Sequence, residues 1–155
     1  MPSSGGRKDP PTSLGGAAES TPLDLAARAL AHRDRSRRQV GDRLAKAGVD
    51  EDERGDVLDA LERIGYVDDD RYAGSRAESL ARRGYGDEAI RHFLEADGID
   101  TSRAEAAIGA LRPEPERAEE LVGRLGATGK TLAALQRKGF APESLERFAA
   151  GGAEA

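Results

Sequence analysis

Residues 36–61, SRRQVGDRLAKAGVDEDERGDVLDAL, can be laid over residues 86–111, GDEAIRHFLEADGIDTSRAEAAIGAL, at an offset of 50 positions. Val40 then falls on Ile90, Leu44 on Leu94, Gly48 on Gly98, Val49 on Ile99, Asp50 on Asp100, Leu58 on Ile108 and Leu61 on Leu111. A weaker third copy, ATGKTLAALQRKGFAPESLERFA at 127–149, aligns Leu135 with Leu44, Gly139 with Gly48, Phe140 with Val49 and Phe148 with Val57, although Thr131 stands where Val40 does. Each copy reads as a helix ending in glycine, an apolar residue, and a second helix. Glycine supplies the left-handed backbone that closes the first helix, and the apolar residue after it folds back onto the turn just ended. Adding the helix that precedes each pair gives three units of three helices, at about 22–64, 69–111 and 115–149. Units this short bury little surface alone, so neighbours must pack in a row. The expected fold is all-α, a tandem repeat of three three-helix units, elongated and curved. The expected divisions are a disordered tail at 1–21, units at 22–64, 65–112 and 113–150, and a flexible end at 151–155.

Capping residues mark the helix starts. Thr21-Pro22-Leu23-Asp24 opens the first helix, expected over about 22–33, and Ser36-Arg37-Arg38-Gln39 is a capping box for the second. Asp50 opens the third, closed by Gly65; Asp68 or Asp69 opens the fourth, closed by Gly84; and Gly86 precedes the fifth. Asp100 or Thr101, Pro115, Thr128 and Pro142 open the rest, the last fading into Gly151-Gly152. No segment alternates with period two, and few aromatic residues are available for a thick sheet core. The first 21 residues, rich in Gly, Ser, Pro and Thr, carry too little apolar surface to offset the entropy of ordering.

Composition removes several function classes. Cys is absent, which excludes disulfides, thiolate metal sites and a cysteine nucleophile. His32 and His92 are far apart and read as surface or half-buried residues. No nucleophile–base pair is discernible, so the chain is read as non-enzymatic, without metal or cofactor. GATGKT at 126–131 imitates a phosphate loop, but the required earlier glycine falls on Arg124 and a helical pattern precedes it, so Thr128 reads as a cap. The acidic runs Asp50 to Glu53 and Asp68 to Asp70 lack the glycine and distal glutamate of a calcium loop and sit at helix starts, where carboxylates favour the dipole. No apolar run reaches membrane-spanning length and no signal-peptide core is visible, so a cytoplasmic protein with no membrane partner is expected.

A net charge of −5 argues against indiscriminate nucleic-acid binding, yet the charge is uneven. Residues 23–47 carry seven bases against Asp24, Asp34 and Asp42, whereas residues 48–75 carry ten acids against Arg54, Arg63 and Arg71. Such a division suits a polar macromolecular partner, or simply helices with solvated faces.

All three tyrosines lie in GYVDDDRYAGSRAESLARRGYG, residues 65–86. Gly65-Tyr66-Val67-Asp68-Asp69-Asp70-Arg71-Tyr72-Ala73, followed by Arg83-Gly84-Tyr85-Gly86 and Ile90, resembles the signature of the RecX family, bacterial regulators of the recombinase RecA. The resemblance extends from about residue 25 to 149, and the three-unit organisation known for that family agrees with the repeat. Within it, Tyr66, Tyr72 and Tyr85 are expected to pack at the hinges between units rather than stack on bases.

A monomer is expected, and the resemblance implies a regulator that binds along the groove of the RecA–single-stranded DNA filament. It also implies modulation of ATP hydrolysis, strand exchange and co-protease activity, with inhibition the favoured direction. Basic residues expected to meet filament protein or DNA are Arg35, Arg37, Arg38, Arg43 and Lys46 in the first unit, then Arg71, Arg82 and Arg83, then Arg137 and Lys138. Each can equally be an ordinary solvated helix charge. The chain departs from the family pattern at Asp87-Glu88-Ala89, where Pro and basic residues are usual, and at Arg76 and Leu80, where the family tends to have an aromatic and an Arg. The second unit is thus more acidic than expected, which favours protein over DNA as its contact. Two other readings remain open: a helix-turn-helix-like DNA-binding regulator using helix 37–47, and a generic helical scaffold for another protein.

Overall fold

The computed structural model describes residues 20–154; of the expected N-terminal tail, residues 1–19 lie outside them. The described residues form nine helices: α1 (Pro22–Leu30), α2 (Arg37–Lys46), α3 (Glu51–Arg63), α4 (Asp69–Arg82), α5 (Asp87–Ala96), α6 (Thr101–Gly109), α7 (Glu114–Leu125), α8 (Gly129–Arg137) and α9 (Pro142–Glu154). The helices pack in consecutive triples, each member touching the other two: α1–α3, α4–α6 and α7–α9. Each triple encloses its own apolar cluster. Val40, Leu44, Leu58 and Leu61 lie at the centre of the first, Leu80, Ile90, Leu94 and Ile108 of the second, and Val122, Leu135, Phe140 and Leu145 of the third. At the level of contacts the chain divides into two compact units after Val67, so the second and third triples share one unit.

The helix starts follow from side-chain capping. Thr21 and Ser36 close complete capping boxes with Asp24 and Gln39. Asp50, Asp68 and Asp100 each accept the backbone N–H of the third residue of their helix, which resolves both Asp/Asp and Asp/Thr alternatives in favour of the earlier residue. At Asp100 that backbone bond from Arg103, followed by the Arg103 side chain, holds the carboxyl below its usual range. The helix ends follow an equally regular device. Val49, Tyr66, Tyr85, Ile99 and Phe140 each follow a positive-φ glycine and donate their N–H to the carbonyl of a leucine five residues back, over 2.9–3.1 Å. Those leucines, Leu44, Leu61, Leu80, Leu94 and Leu135, are all buried. One residue type therefore supplies both the cap acceptor and the core contact of these five helix ends.

Three details differ from the sequence expectation. Helix α1 stops at Leu30 rather than near residue 33, because Arg35 turns back and its Nε donates to the Ala29 carbonyl, replacing a further turn of helix. Tyr66 is 58% exposed, while Val67, whose N–H also reaches Leu61, takes the inward position at 1% exposure. Helix α9 continues through Gly151 and Gly152 to Glu154 instead of fading at the glycine pair. Tyr72 and Tyr85 do serve as packing residues. Tyr72 is buried with its hydroxyl donating to Asp97 at 2.8 Å, and the Tyr85 ring meets Phe93 edge-on.

Candidate functional site

The basic residues expected to meet a partner fall into two sets. Arg37, half-buried at the start of α2, binds Asp59 at 2.9 Å and also Glu62, tying α2 to α3. Arg35 is bound to the Ala29 carbonyl. Lys138 donates to the Arg83 carbonyl at 2.7 Å and lies 4.4 Å from the centre of the Tyr85 ring, so it links the end of α8 to the end of α4. These three act within the fold. Arg38, Arg43 and Lys46 on α2, Arg71 at the start of α4, Arg82 and Arg83 at its end, and Arg137 at the end of α8 are exposed. Arg71 lies 3.9 Å from Asp68, a distant pair on an exposed helix start. The Arg83 guanidinium also lies over the Tyr85 ring, 5.5 Å from its centre. The structure thus brings together Arg83, Tyr85 and Lys138, and leaves a last-turn cation near the positive-φ glycine in α2, α4 and α8. Cations there are favoured by the helix dipole, at about 0.3–1 kcal/mol each, and remain available to a partner while exposed.

The signature glycines have separate physical reasons. Gly65 and Gly84 adopt φ of +83° and +88°, as their helix ends require. Gly86 has ordinary φ but no room: its N–H donates to the Lys138 carbonyl at 2.8 Å, and the backbone of Gly139 and Phe140 passes directly over its α-carbon. The Gly84-Tyr85-Gly86 corner is therefore where the second triple receives the α8–α9 turn.

Beside that corner lies a buried charged cluster that the sequence reading missed. The Glu114 carboxylate, at 7% exposure, accepts the N–H of Asp87 at 2.7 Å, the N–H of Ala141 at 3.0 Å and the hydroxyl of Ser144 at 2.6 Å. Asp87 begins α5, Glu114 begins α7, and Ala141 precedes α9, so three positive helix ends converge on one carboxylate. Arg117, one turn along α7 and also buried, holds Asp87 through both terminal nitrogens at 2.9 Å and reaches the Arg112 and Tyr85 carbonyls. Its guanidinium stands over the Phe140 ring, and its Nε is buried without a partner among the described residues. Asp87 is thereby explained: it is the counter-ion of a buried arginine. Its acidity says nothing against a basic partner-binding surface elsewhere in this unit. The available signal was register, since Glu114, Arg117, Ala118, Leu121 and Val122 fall on one stripe of α7.

Among the described residues no cluster of His, Asp and Glu is arranged to hold a metal ion, and no helix is long and apolar enough to cross a membrane. His92 is exposed and approaches Phe93 edge-on at 6.2 Å.

Comparison with known proteins agrees with this architecture. Residues 23–69, α1 to the start of α4, match the family model described as RecX, first three-helix domain. A Regulatory protein RecX of Acidithiobacillus ferrooxidans is 41% identical over 81 residues, covering 52% of this chain and 54% of that relative. The chain thus spans about half the length of that relative. The Regulatory protein RecX of Xanthomonas axonopodis pv. citri is 32% identical over 122 residues, covering 77% of this chain and 75% of the relative. The crystal structure of RecX from Lactobacillus salivarius superposes with a TM-score of 0.72 at 22% identity, over 86% of this chain and 96% of that one, and so shares the fold. With three capped helical triples, the Gly-Tyr-Val-Asp-Asp stretch and a 32% identical relative matched over three quarters of its length, the chain belongs to the RecX family of regulatory proteins.

Proposed function

We propose that this chain binds in the groove of the RecA–single-stranded DNA filament and modulates, in the inhibitory direction, its ATP hydrolysis, strand exchange and co-protease activity. Membership of a family of regulatory proteins carries this reading. At the residue level, support comes from the exposed last-turn cations of the three triples, Arg43 and Lys46, Arg82, and Arg137. Each triple thus ends one helix in exposed cations, the second helix of the first and third triples and the first helix of the second, and such recurrence suits a partner that is itself a repeat of identical protomers. In the first unit the contacts belong to Arg38, Arg43 and Lys46 on the exposed side of α2, while Arg37 serves α3.

Steady-state ATP hydrolysis by RecA on single-stranded DNA tests the proposal. Addition of this protein at well below one molecule per RecA protomer is expected to lower the rate. A rate unchanged up to molar excess of the protein refutes it.

A further inference from the structure

The second unit carries a groove of ≈ 510 Å³ where the end of α4, the α6–α7 connection and one face of α7 meet. Ala81, Leu111 and Leu121, all half-buried, give it an apolar floor. Its walls hold Arg82, Arg112, Arg117 and Arg124 against Glu78 and Glu120.

These four arginines are not equivalent. Arg117 is neutralised by Asp87, and Arg112 lies 3.4 Å from Glu120 and 3.9 Å from Glu116. Arg82 and Arg124 are exposed, and neither forms an ion pair or side-chain hydrogen bond among the described residues. Most arginines of this unit are paired, Arg76 with Asp97, Arg91 with Glu105, Arg103 with Asp70 and Arg147 with Glu119; Arg83 and Arg137 also lack an ion pair among the described residues, but neither lines this groove. In a chain with a net charge of −5, acids are plentiful enough to partner every guanidinium. Two left without one, at the rim of an apolar-floored groove, leave positive charge beside surface that gains from being covered.

We propose that this groove docks an acidic, apolar segment of a protein partner, with carboxylates on Arg82 and Arg124 and an aliphatic side chain against Leu111 and Leu121. Nucleic acid fits it less well. No aromatic side chain lines the groove to stack on a base, and Glu78 and Glu120 face the path of any continuous phosphate backbone. A peptide can space its carboxylates around those two glutamates and form bidentate bonds to guanidinium. The inference rests on the proposed function, in which the partner is a RecA protomer within the filament.

The test is Arg82→Glu with Arg124→Glu in the full chain. Both side chains are exposed, so the fold should be retained, with a small fall in melting temperature because each stands in the last turn of its helix. Fluorescence anisotropy would follow binding of the labelled protein to RecA–single-stranded DNA filaments and, separately, to the same DNA without RecA. Filament affinity is expected to fall about tenfold or more, with binding to DNA alone unchanged and the Arg82→Lys, Arg124→Lys pair retaining most of it. Unchanged filament affinity overturns the proposal. So does an equal loss on DNA alone, which would assign the groove to nucleic acid. If the parent protein binds no filament, the proposed function itself fails and this assignment with it, an outcome distinct from the other two.

Discussion

Gly86→Ala should cost this protein about 3 kcal/mol or more, although it adds one methyl group to a residue whose backbone conformation any amino acid can adopt. A β-carbon at Gly86 would stand 2.4 Å from the backbone nitrogen of Phe140 and 2.5 Å from the carbonyl carbon and oxygen of Gly139. None of these atoms belongs to a side chain that can swing aside. Relief requires the α8–α9 turn to move away from α5, and that movement breaks the bonds from Gly86 N–H to Lys138 O and from Glu88 N–H to Gly139 O. Gly48→Ala is the control. There φ is +88° but nothing lies within 4 Å of the added atom, so only the left-handed strain of about 1–2 kcal/mol remains. Urea titrations of the two variants separate the effects. A Gly86→Ala variant no less stable than Gly48→Ala would show that the close approach does not exist in solution.

Glu114→Ala should cost a similar amount, about 3–5 kcal/mol, because it removes the common acceptor of three donors at a buried site. The donors belong to the starts of α5 and α9, so the loss should loosen the third triple from the second. Glu114→Gln keeps the shape but turns one oxygen into a donor. That donor must then face either the Asp87 N–H or the Ala141 N–H and Ser144 hydroxyl, and the expected cost is about 2 kcal/mol. Exposed Glu116 on the same helix provides the reference: Glu116→Ala should change stability by no more than about 0.5 kcal/mol. Thermal unfolding that places Glu114→Ala level with Glu116→Ala would contradict the role given to this carboxylate.

What could be read from the sequence was what depends on neighbours a few residues away. The capping aspartates, the closing glycines and the buried leucines five residues before each post-glycine position are all local, so the repeat at 36–61 and 86–111 made them visible together. Tyr66 shows the limit of the analogy. Like Val49 and Ile99 it follows a closing glycine, but at this end Val67 also turns inward to Leu61, and Tyr66 is left exposed. The Glu114–Arg117–Asp87 cluster was hidden for a different reason. Its members lie 27 to 32 positions from most of their partners, and a charged residue within an acidic, arginine-rich helix ordinarily reads as solvated.

The candidate site was legible only as a charge distribution. Charge alone does not distinguish Arg37, which is bound to Asp59 and Glu62, from Arg43, which is exposed three residues before the end of the same helix. It likewise hid the difference between Lys138, bound to the end of α4, and Arg137 beside it. Arg112 and Arg124 join Arg82 only because the α6–α7 connection brings them to one groove. That proximity has no counterpart in the order of the residues.

Co-sedimentation with preassembled filaments tests the central claim most directly. The protein should pellet with RecA on single-stranded DNA and remain largely in the supernatant with RecA alone or with the DNA alone. Recovery in the supernatant in all three mixtures, or pelleting with bare DNA as fully as with the filament, would contradict it.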